Sequence, residues 1–154
     1  MTDYRIMADD LSGPEVAALL ALHLAEMHAN TPLDQVHALP IERLRAPDVT
    51  FYSAWAGAEL AAVGALKQLG PECGELKSMR AAPAFRGRGA GEAILLALMA
   101  EARHRGYRWL GLETGRTGPF APAVALYRKH GFATCEPFGD YLPGDFSQCF
   151  GRAL

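Results

Sequence analysis

Residues 74–91, GELKSMRAAPAFRGRGAG, predict a strand that ends before Pro83 and a glycine-rich loop that leads into a helix. The loop itself runs Arg86-Gly87-Arg88-Gly89-Ala90-Gly91. Its glycines let the backbone approach a ligand closely and leave several N–H groups free. The following helix adds the positive end of its dipole, so the loop favours a bound pyrophosphate.

The glycine spacing excludes two other phosphate-binding loops. Glu92 occupies the position of the third glycine in G-x-G-x-x-G, and no G-K-[ST] follows the loop. A tight turn with no ligand is the structural alternative, and the two arginines inside the loop, Arg86 and Arg88, argue against it. The sequence therefore predicts an anion site of a different class.

The rest of the chain alternates short strands with few helices. A Ser12–Glu15 capping box predicts the start of the first helix. Periodicity and turn residues predict further helices and strands. The predicted helices are Pro14–Ala29, a short one around Ile41–Arg45, Gly89–Arg105 and Pro122–His130. The predicted strands are Tyr4–Met7, Val49–Trp55, Leu60–Leu69, Gly74–Ala81, Trp109–Glu113, Phe132–Phe138 and Phe146–Ala153.

This order predicts a mixed α/β fold whose central sheet is largely antiparallel, because short turns join most neighbouring strands. A doubly wound Rossmann domain alternates strand and helix throughout, and this chain does not. With 154 residues and 50% hydrophobic residues, we expect one globular domain over residues 1–154.

The charges are distributed unevenly along the chain. The net charge is −2, which argues against a protein held to nucleic acid by bulk charge. Residues 1–79 carry 5 basic and 11 acidic residues, whereas residues 80–129 carry 9 basic and 3 acidic residues. A basic middle in an acidic protein indicates a local anionic partner, although arginines that only solubilise a helix face remain the alternative.

Several other classes are excluded by simple counts. No apolar stretch approaches the roughly 20 residues that cross a bilayer, and the acidic start of the chain is unlike a signal peptide. The three cysteines, Cys73, Cys135 and Cys149, form no C-x-x-C pair, so we expect no disulfide framework and no metal site. A cytoplasmic protein that binds no membrane is the expectation.

Two motifs in order resemble the GNAT N-acetyltransferases. Arg86-x-x-Gly89-x-Gly91, after a strand ending in x-x-Pro83, resembles the acyl-CoA signature [RQ]-x-x-G-x-[GA]. Downstream, Ala123-x-x-Leu126-Tyr127-x-x-x-Gly131-Phe132 resembles the family's A-x-x-L-Y-x-x-x-G-F segment. The resemblance covers nearly the whole chain. It implies the GNAT acyl-CoA N-acyltransferase fold, with acetyl-CoA as co-substrate and no metal.

The resemblance also implies roles for the residues that match. The backbone of Met79, Arg80 and Ala81 would pair with the pantetheine arm, and the N–H groups of residues 86–91 would hold the pyrophosphate. Tyr127 would lie near the CoA sulfur and protonate the departing thiolate. The family often has Asn three residues before the Ala of its second motif, and Phe120 stands there instead.

Two carboxylates are candidates for the general base that deprotonates the amine. Glu75, eleven residues before Arg86, has the spacing of relatives that use a glutamate on the fourth strand, and alternation puts it on one face with Lys77, Met79 and Ala81. Glu113 ends the fifth strand, where relatives splay their two central strands, so the resemblance implies a partly buried carboxylate with a raised pKa. Glu75 is the first choice, and for each carboxylate a purely structural role remains the alternative.

The acceptor side is less specified by the sequence. In this family the N-terminal helical region forms one wall of the acceptor site, so His28 and His37 are candidate substrate contacts, as is Tyr141 near the end of the chain. His23 falls near the apolar stripe of the first helix and is expected to be a satisfied core histidine.

The resulting prediction is an enzyme that moves an acetyl group from acetyl-CoA directly to a primary amine of a small molecule. Two alternatives stay open: an N-acetyltransferase of proteins or peptides, and a non-catalytic acyl-CoA-binding module. A homodimer is plausible by analogy with relatives.

Overall fold

The computed structural model describes residues 3–32, 39–116, 118–142 and 144–154, and seven strands of these residues form one sheet. Residues 61–66, near the centre of the sheet, are buried without interruption, which suits a strand packed on both faces. The strands are β1 (Arg5–Ala8), β2 (Val49–Ala56), β3 (Glu59–Gly70), β4 (Cys73–Ala81), β5 (Trp109–Gly115), β6 (Ala133–Cys135) and β7 (Ser147–Ala153).

The strand order in the sheet is β1-β2-β3-β4-β5-β7-β6. Every neighbouring pair is antiparallel except β4 and β5, which run parallel. The long helix between β4 and β5 provides the crossover that a parallel pair needs. The predicted mixed, largely antiparallel α/β fold is therefore confirmed.

Within the described ranges, four helices flank the sheet. They are α1 (Pro14–Asn30), α2 (Ile41–Leu44), α3 (Ala90–His104) and α4 (Ala121–Lys129). Short 3₁₀ turns at Pro83–Phe85 and Gly118–Phe120 precede α3 and α4. Gly106 follows α3 in the left-handed conformation, which is the usual way to end a helix.

The predicted capping box is wrong. Gly13 is the N-cap of α1, and no side chain caps this helix end. The Ser12 hydroxyl instead donates to Asp10 Oδ1 at 2.6 Å, and the Ser12 N–H donates to the same oxygen at 3.0 Å. Ser12 therefore bonds within this local turn, and it lies one residue before the N-cap position from which it could cap the helix.

Two apolar clusters pack on opposite faces of the sheet. The cluster under α1 and α2 includes Val16, Leu20, Leu44, Phe51, Val63 and Ala65. The cluster under α3 and α4 includes Leu66, Leu76, Ile94, Leu98, Leu110, Leu112, Tyr127 and Phe150. Both faces are thus covered, and a ligand must enter at an edge or through a gap in the sheet.

A β-bulge in β4 changes which side chains share a face. Val63 of β3 pairs with Arg80, and Ala65 pairs with Lys77. Between these two pairs, β4 contains one residue more than β3. Ser78 lies in the bulge with φ 54°, an uncommon value for a residue with a side chain.

The bulge contradicts the expected alternation along β4. Met79 packs into the α3 cluster, whereas Arg80 pairs with Glu26 of α1. Glu75 and Lys77 therefore share their face with Arg80, not with Met79 and Ala81 as a period of two predicts. The inserted residue shifts the phase of the strand by one position.

β4 and β5 are paired only at one end. The parallel ladder joins Cys73 to Trp109, Gly74 to Leu110 and Glu75 to Gly111. Beyond Glu75, the part of β4 that the structure describes has no strand on its β5 side, while β5 continues in pairing with β7. The two strands thus separate and open a gap near the centre of the sheet.

The final strands differ from their predicted lengths. β6 spans only Ala133–Cys135, although a strand to Phe138 was expected. Pro137 lacks the N–H that a ladder requires, and Gly139 adopts φ 59° in a turn. β7 lies between β5 and β6, so the segment between the strands crosses the end of the sheet near the gap.

Candidate active site

The gap between β4 and β5 is part of a cleft of about 200 Å³. Its walls come from the C-terminal half of α1, the bulged part of β4, the end of β5, and the start of α4. Its ionisable lining residues are His23, Glu26, Lys77, Arg80, Glu113, Tyr127 and Tyr141. The cleft therefore combines both charge signs with an apolar floor.

Glu75 does not line this cleft. Its side chain is 4% exposed, accepts a hydrogen bond from the Tyr141 hydroxyl and forms a salt bridge with Lys77 Nζ at 3.2 Å. Lys77 Nζ also donates to the Tyr141 oxygen at 2.7 Å. The three groups form a closed buried network, in which Glu75 holds the two side chains that do reach the cleft.

Tyr141 is held as a neutral hydrogen-bond donor. Burial, followed by the negative charge of Glu75, raises the pKa of the Tyr141 phenol well above its ordinary value. The Lys77 ammonium lies 5.3 Å from the centre of the same ring. The ring also packs edge-on against Phe138, with centroids 5.4 Å apart. The residues after β6 are thereby fixed over the end of β4.

Glu113 lines the cleft and has a strongly altered acidity. Burial raises the pKa of its carboxyl group to about 7. The charge of Lys77 and the side chain of Ser147 oppose this increase, while the negative charge of Glu75 adds to it. A carboxyl group with this pKa exchanges a proton near neutral pH, which is what a general base requires.

Tyr127 is on the opposite side of the gap. Its side chain is buried, packs edge-on against Phe132 with centroids 5.9 Å apart, and lines the cleft. Burial raises the pKa of the Tyr127 phenol, so the hydroxyl keeps its proton at neutral pH. A protonated phenol facing the cleft can donate a hydrogen bond or a proton.

The glycine-rich loop has the geometry of an anion cradle. Gly87 and Gly89 have φ 72° and 82°, values that a residue with a side chain rarely adopts. Among the described residues, no protein acceptor takes the N–H groups of Gly87, Gly89, Ala90 or Gly91. These donors surround the N-terminus of α3, where the helix dipole also favours negative charge.

The two arginines of the loop differ in their surroundings. The Arg86 side chain is 56% exposed and ion-paired with Glu26 at 3.5 Å. Arg88 stacks on the Phe85 ring at 4.7 Å, and its carbonyl accepts a hydrogen bond from the Tyr4 hydroxyl at 2.6 Å. Both arginines are thus exposed at the loop, and Glu26 partly balances the charge of Arg86.

The remaining predicted site residues lie in different places. The backbone of Met79, Arg80 and Ala81 lies on the edge of β4 that faces the gap, where no strand pairs with it among the described residues. His28 is exposed in the last turn of α1 and does not line the cleft. His37 lies outside the described residues.

His23 corrects an expectation. It is buried, but its Nδ1 has no hydrogen-bond partner, and the residue lines the cleft. Burial lowers the pKa of its imidazole to about 4, so the ring is neutral. Sequence periodicity found the burial of this residue but contains no signal for its missing partner. Ser78 and Glu26 were missed as cleft residues because the bulge and the helix–strand packing place them there.

Among the described residues, no group of three or more His, Cys, Asp or Glu side chains comes together as a metal site. No helix in this part of the chain is long and apolar enough to cross a membrane.

Comparison with known proteins assigns the class that this fold and cleft define. The sequence model of the Acetyltransferase (GNAT) family matches residues 16–132. YsnE of Bacillus subtilis, an uncharacterised N-acetyltransferase, is 46% identical over 88% of this chain and 90% of its own length. The chain therefore belongs to the GNAT family and is an acyl-CoA-dependent N-acetyltransferase.

Solved structures agree with this fold. A candidate acyl-CoA N-acyltransferase from Klebsiella pneumoniae superposes with TM-score 0.79, at 30% identity, over 98% of this chain and 97% of its own. A Bacillus subtilis acetyltransferase in complex with CoA superposes with TM-score 0.75, at 20% identity, over 99% of both chains. The latter likeness concerns the fold alone.

Proposed function

We propose that this protein, as a single domain, transfers an acetyl group from acetyl-CoA directly to a primary amine of a small molecule. The observation that carries the proposal is the cleft between β4 and β5. A carboxyl group with a pKa of about 7, Glu113, lines it from one strand, and a buried protonated phenol, Tyr127, lines it from α4.

Features at the gap support acetyl-CoA as the acyl donor. The free edge of β4 from Met79 to Ala81 suits an extended pantetheine arm, which can add to a strand through backbone hydrogen bonds. The free N–H groups of residues 86–91 suit the pyrophosphate, and Arg86 supplies charge beside them. Both features border the same end of β4, so one molecule can use both.

We assign Glu113 rather than Glu75 as the general base. Glu75 is closed off by Lys77 and Tyr141, and its position behind the cleft suits a positioning role. Glu113 lines the cleft and can accept a proton from an ammonium group near pH 7. This reverses the order of preference that the sequence spacing suggested.

The reaction then balances without a covalent enzyme intermediate. The ammonium group gives a proton to the Glu113 carboxylate, and its nitrogen lone pair attacks the thioester carbonyl carbon. The tetrahedral intermediate collapses and the C–S bond breaks. The departing thiolate takes the Tyr127 proton, and the cationic nitrogen gives its second proton to water, which leaves a neutral amide. The products are an N-acetylated amine and CoA, and Glu113 and Tyr127 return to their starting states by proton exchange with water.

A screen for thiol release tests this proposal. Purified protein, acetyl-CoA and a panel of small primary amines should release CoA faster than a blank without amine, and mass spectrometry should find the N-acetyl product. Acetylation of added protein, with none of the small amines used, would overturn the small-molecule assignment. Tight CoA binding without thiol release from any acceptor would overturn the catalytic assignment.

A further inference from the structure

The buried polar atoms that lack partners are concentrated at the cleft. In the described part of the chain, three buried side-chain nitrogen or oxygen atoms have no hydrogen-bond partner: His23 Nδ1, Ser78 Oγ and Arg80 Nε. All three residues line the cleft between β4 and β5. His23 and Ser78 are each only 8% exposed, and the Arg80 side chain is 12% exposed.

Such atoms are costly unless a ligand satisfies them. A buried polar group without a partner destabilises a fold by about 1–3 kcal/mol, so most are paired in native proteins. Elsewhere in the described residues, buried side-chain polar atoms do have partners. The unpaired atoms are therefore a feature of this cleft and not of the protein's packing in general.

The chemistry of the three atoms selects the ligand group. Arg80 Nε carries a proton and has no lone pair to offer, so it can only donate. The Ser78 hydroxyl can donate as well, and a neutral His23 donates when its proton is on Nδ1. A group with several acceptor lone pairs, such as a carboxylate, matches these donors.

The side chains of His23 and Arg80 lie on the α1 face of the sheet. His23 comes from α1, and the Arg80 guanidinium pairs with Glu26 of the same helix. The glycine-rich loop instead leads to α3 on the other face of the sheet. Arg80 uses one terminal nitrogen for Glu26, which leaves its Nε edge for a second anion.

We propose that His23, Ser78 and Arg80 form a subsite for a carboxylate of the acceptor, which makes the acceptor an amino acid or a closely related amino carboxylate. This inference rests on the proposed function, because it places the amine of the same molecule toward Glu113. The carboxylate bound on the α1 side then orients the amine toward the gap.

The test compares acceptors that differ only in this group. L-Phenylalanine, L-phenylalaninamide and 2-phenylethylamine, and the matching series from L-alanine, are titrated into the full-length protein loaded with CoA. Calorimetry then gives each dissociation constant without requiring turnover. We expect the acid of a series to bind at least tenfold tighter than the decarboxylated amine, with the amide between them.

Two variants test whether Ser78 and Arg80 cause the preference for the acid over the amine. Ser78→Ala removes an unpaired hydroxyl and should leave the fold intact, and Arg80→Lys keeps a positive charge for Glu26 but loses the Nε donor. Each should reduce the ratio of acid to amine affinity at least fivefold. Arg105→Lys is the matched control, because Arg105 is also ion-paired, with Glu101, but lies outside the cleft and has no unpaired buried atom.

The outcomes separate this inference from the proposed function. Equal or absent binding of acid and amine by the unmodified protein would overturn the subsite. Ser78→Ala and Arg80→Lys could instead lose CoA affinity and keep the preference for the acid. That result would assign the unpaired atoms to CoA binding and would also overturn the subsite. Acid-selective binding without thiol release from any acceptor would support the subsite and contradict the proposed reaction.

Discussion

Single residues decide which of two nearby carboxylates is available for chemistry. Glu75 and Glu113 come from neighbouring strands, and both sense the charge of Lys77. Glu75 has this ammonium and the Tyr141 hydroxyl as direct partners, whereas Glu113 lies in the cleft with a pKa near 7. We therefore propose a positioning role for Glu75 and a proton-transfer role for Glu113.

Replacing Glu113 by Gln should remove the acid limb of the pH–rate profile. The ionised carboxylate is the active form, so the unmodified enzyme should gain rate as pH rises through about 7. The variant should lose about 10²–10⁴ in kcat/KM and show no such limb. Initial rates of thiol release between about pH 5.5 and 8.5 measure both effects.

Glu75→Gln is the matched control for that variant. We expect it to lower stability, because it leaves the buried Lys77 without its ionic partner, and to keep the limb near pH 7. A limb that persists in Glu113→Gln and vanishes in Glu75→Gln would reverse the two assignments.

Tyr141→Phe should act on stability more than on the pH profile. The hydroxyl bonds both Glu75 and Lys77, so its loss leaves buried charged groups with fewer partners and should cost about 1–3 kcal/mol. Urea unfolding of the unmodified protein and the variant measures the difference. An unchanged free energy of unfolding would show that the network contributes no stability.

At the scale of elements, β4 and the loop after it organise the site. The bulge at Ser78 turns Arg80 toward α1, and the limited pairing with β5 opens the gap. The loop at residues 86–91 then places free N–H groups at the N-terminus of α3. One continuous segment therefore presents an unpaired strand edge, an anion cradle and two of the unpaired polar atoms.

Gly91→Glu tests the anion cradle without straining the backbone. A Cβ at Gly91 would meet no atom within 4 Å, and its φ lies outside the left-handed region. A carboxylate there should repel the pyrophosphate and raise the dissociation constant of CoA about tenfold or more. Calorimetric titration with CoA gives the value.

Gly91→Gln is the neutral control of nearly equal size. We expect it to bind CoA more tightly than Gly91→Glu, because only the charge differs. Equal affinities for the two variants and the unmodified protein would place the pyrophosphate elsewhere.

At the scale of the whole molecule, two buried groups give opposing pH dependences of stability. Burial raises the pKa of Glu113 from 4.5 to about 7, so the folded state holds its proton where the unfolded state has lost it. Burial lowers the pKa of His23 from 6.5 to about 4, so the unfolded state holds the proton instead. As pH rises, the contribution of Glu113 therefore lowers the stability of the fold, and the contribution of His23 raises it.

Removing one of the two groups should reveal how the other makes the stability of the fold depend on pH. Each shift corresponds to roughly 3 kcal/mol across its full range, so the two nearly cancel between about pH 4.5 and 6.5 in the unmodified protein. Glu113→Gln should become more stable relative to the unmodified protein as pH rises from about 4.5 to 7. Urea unfolding at a series of pH values gives this difference directly, and a difference that does not change with pH would contradict the prediction.

The sequence by itself determined the elements and the family. Local signals were sufficient for this: β-forming residues bounded by turn residues, helical spacing after Gly89, and the two spaced motifs around Arg86 and Tyr127. The mixed sheet and the acetyltransferase class followed from them. The capping box failed because Asp10 competes for Ser12, and β6 is short because Pro137 cannot extend the ladder.

Only the tertiary structure decided which residues meet in the cleft. A single inserted residue at Ser78 reverses the phase of β4, so alternation assigned Met79 to the face that Arg80 occupies. Burial and the distant partner Tyr141 separate Glu75 from Glu113, and no local pattern contains either fact. The environment of a side chain depends on contacts between remote segments, and these contacts set its acidity and its unpaired atoms.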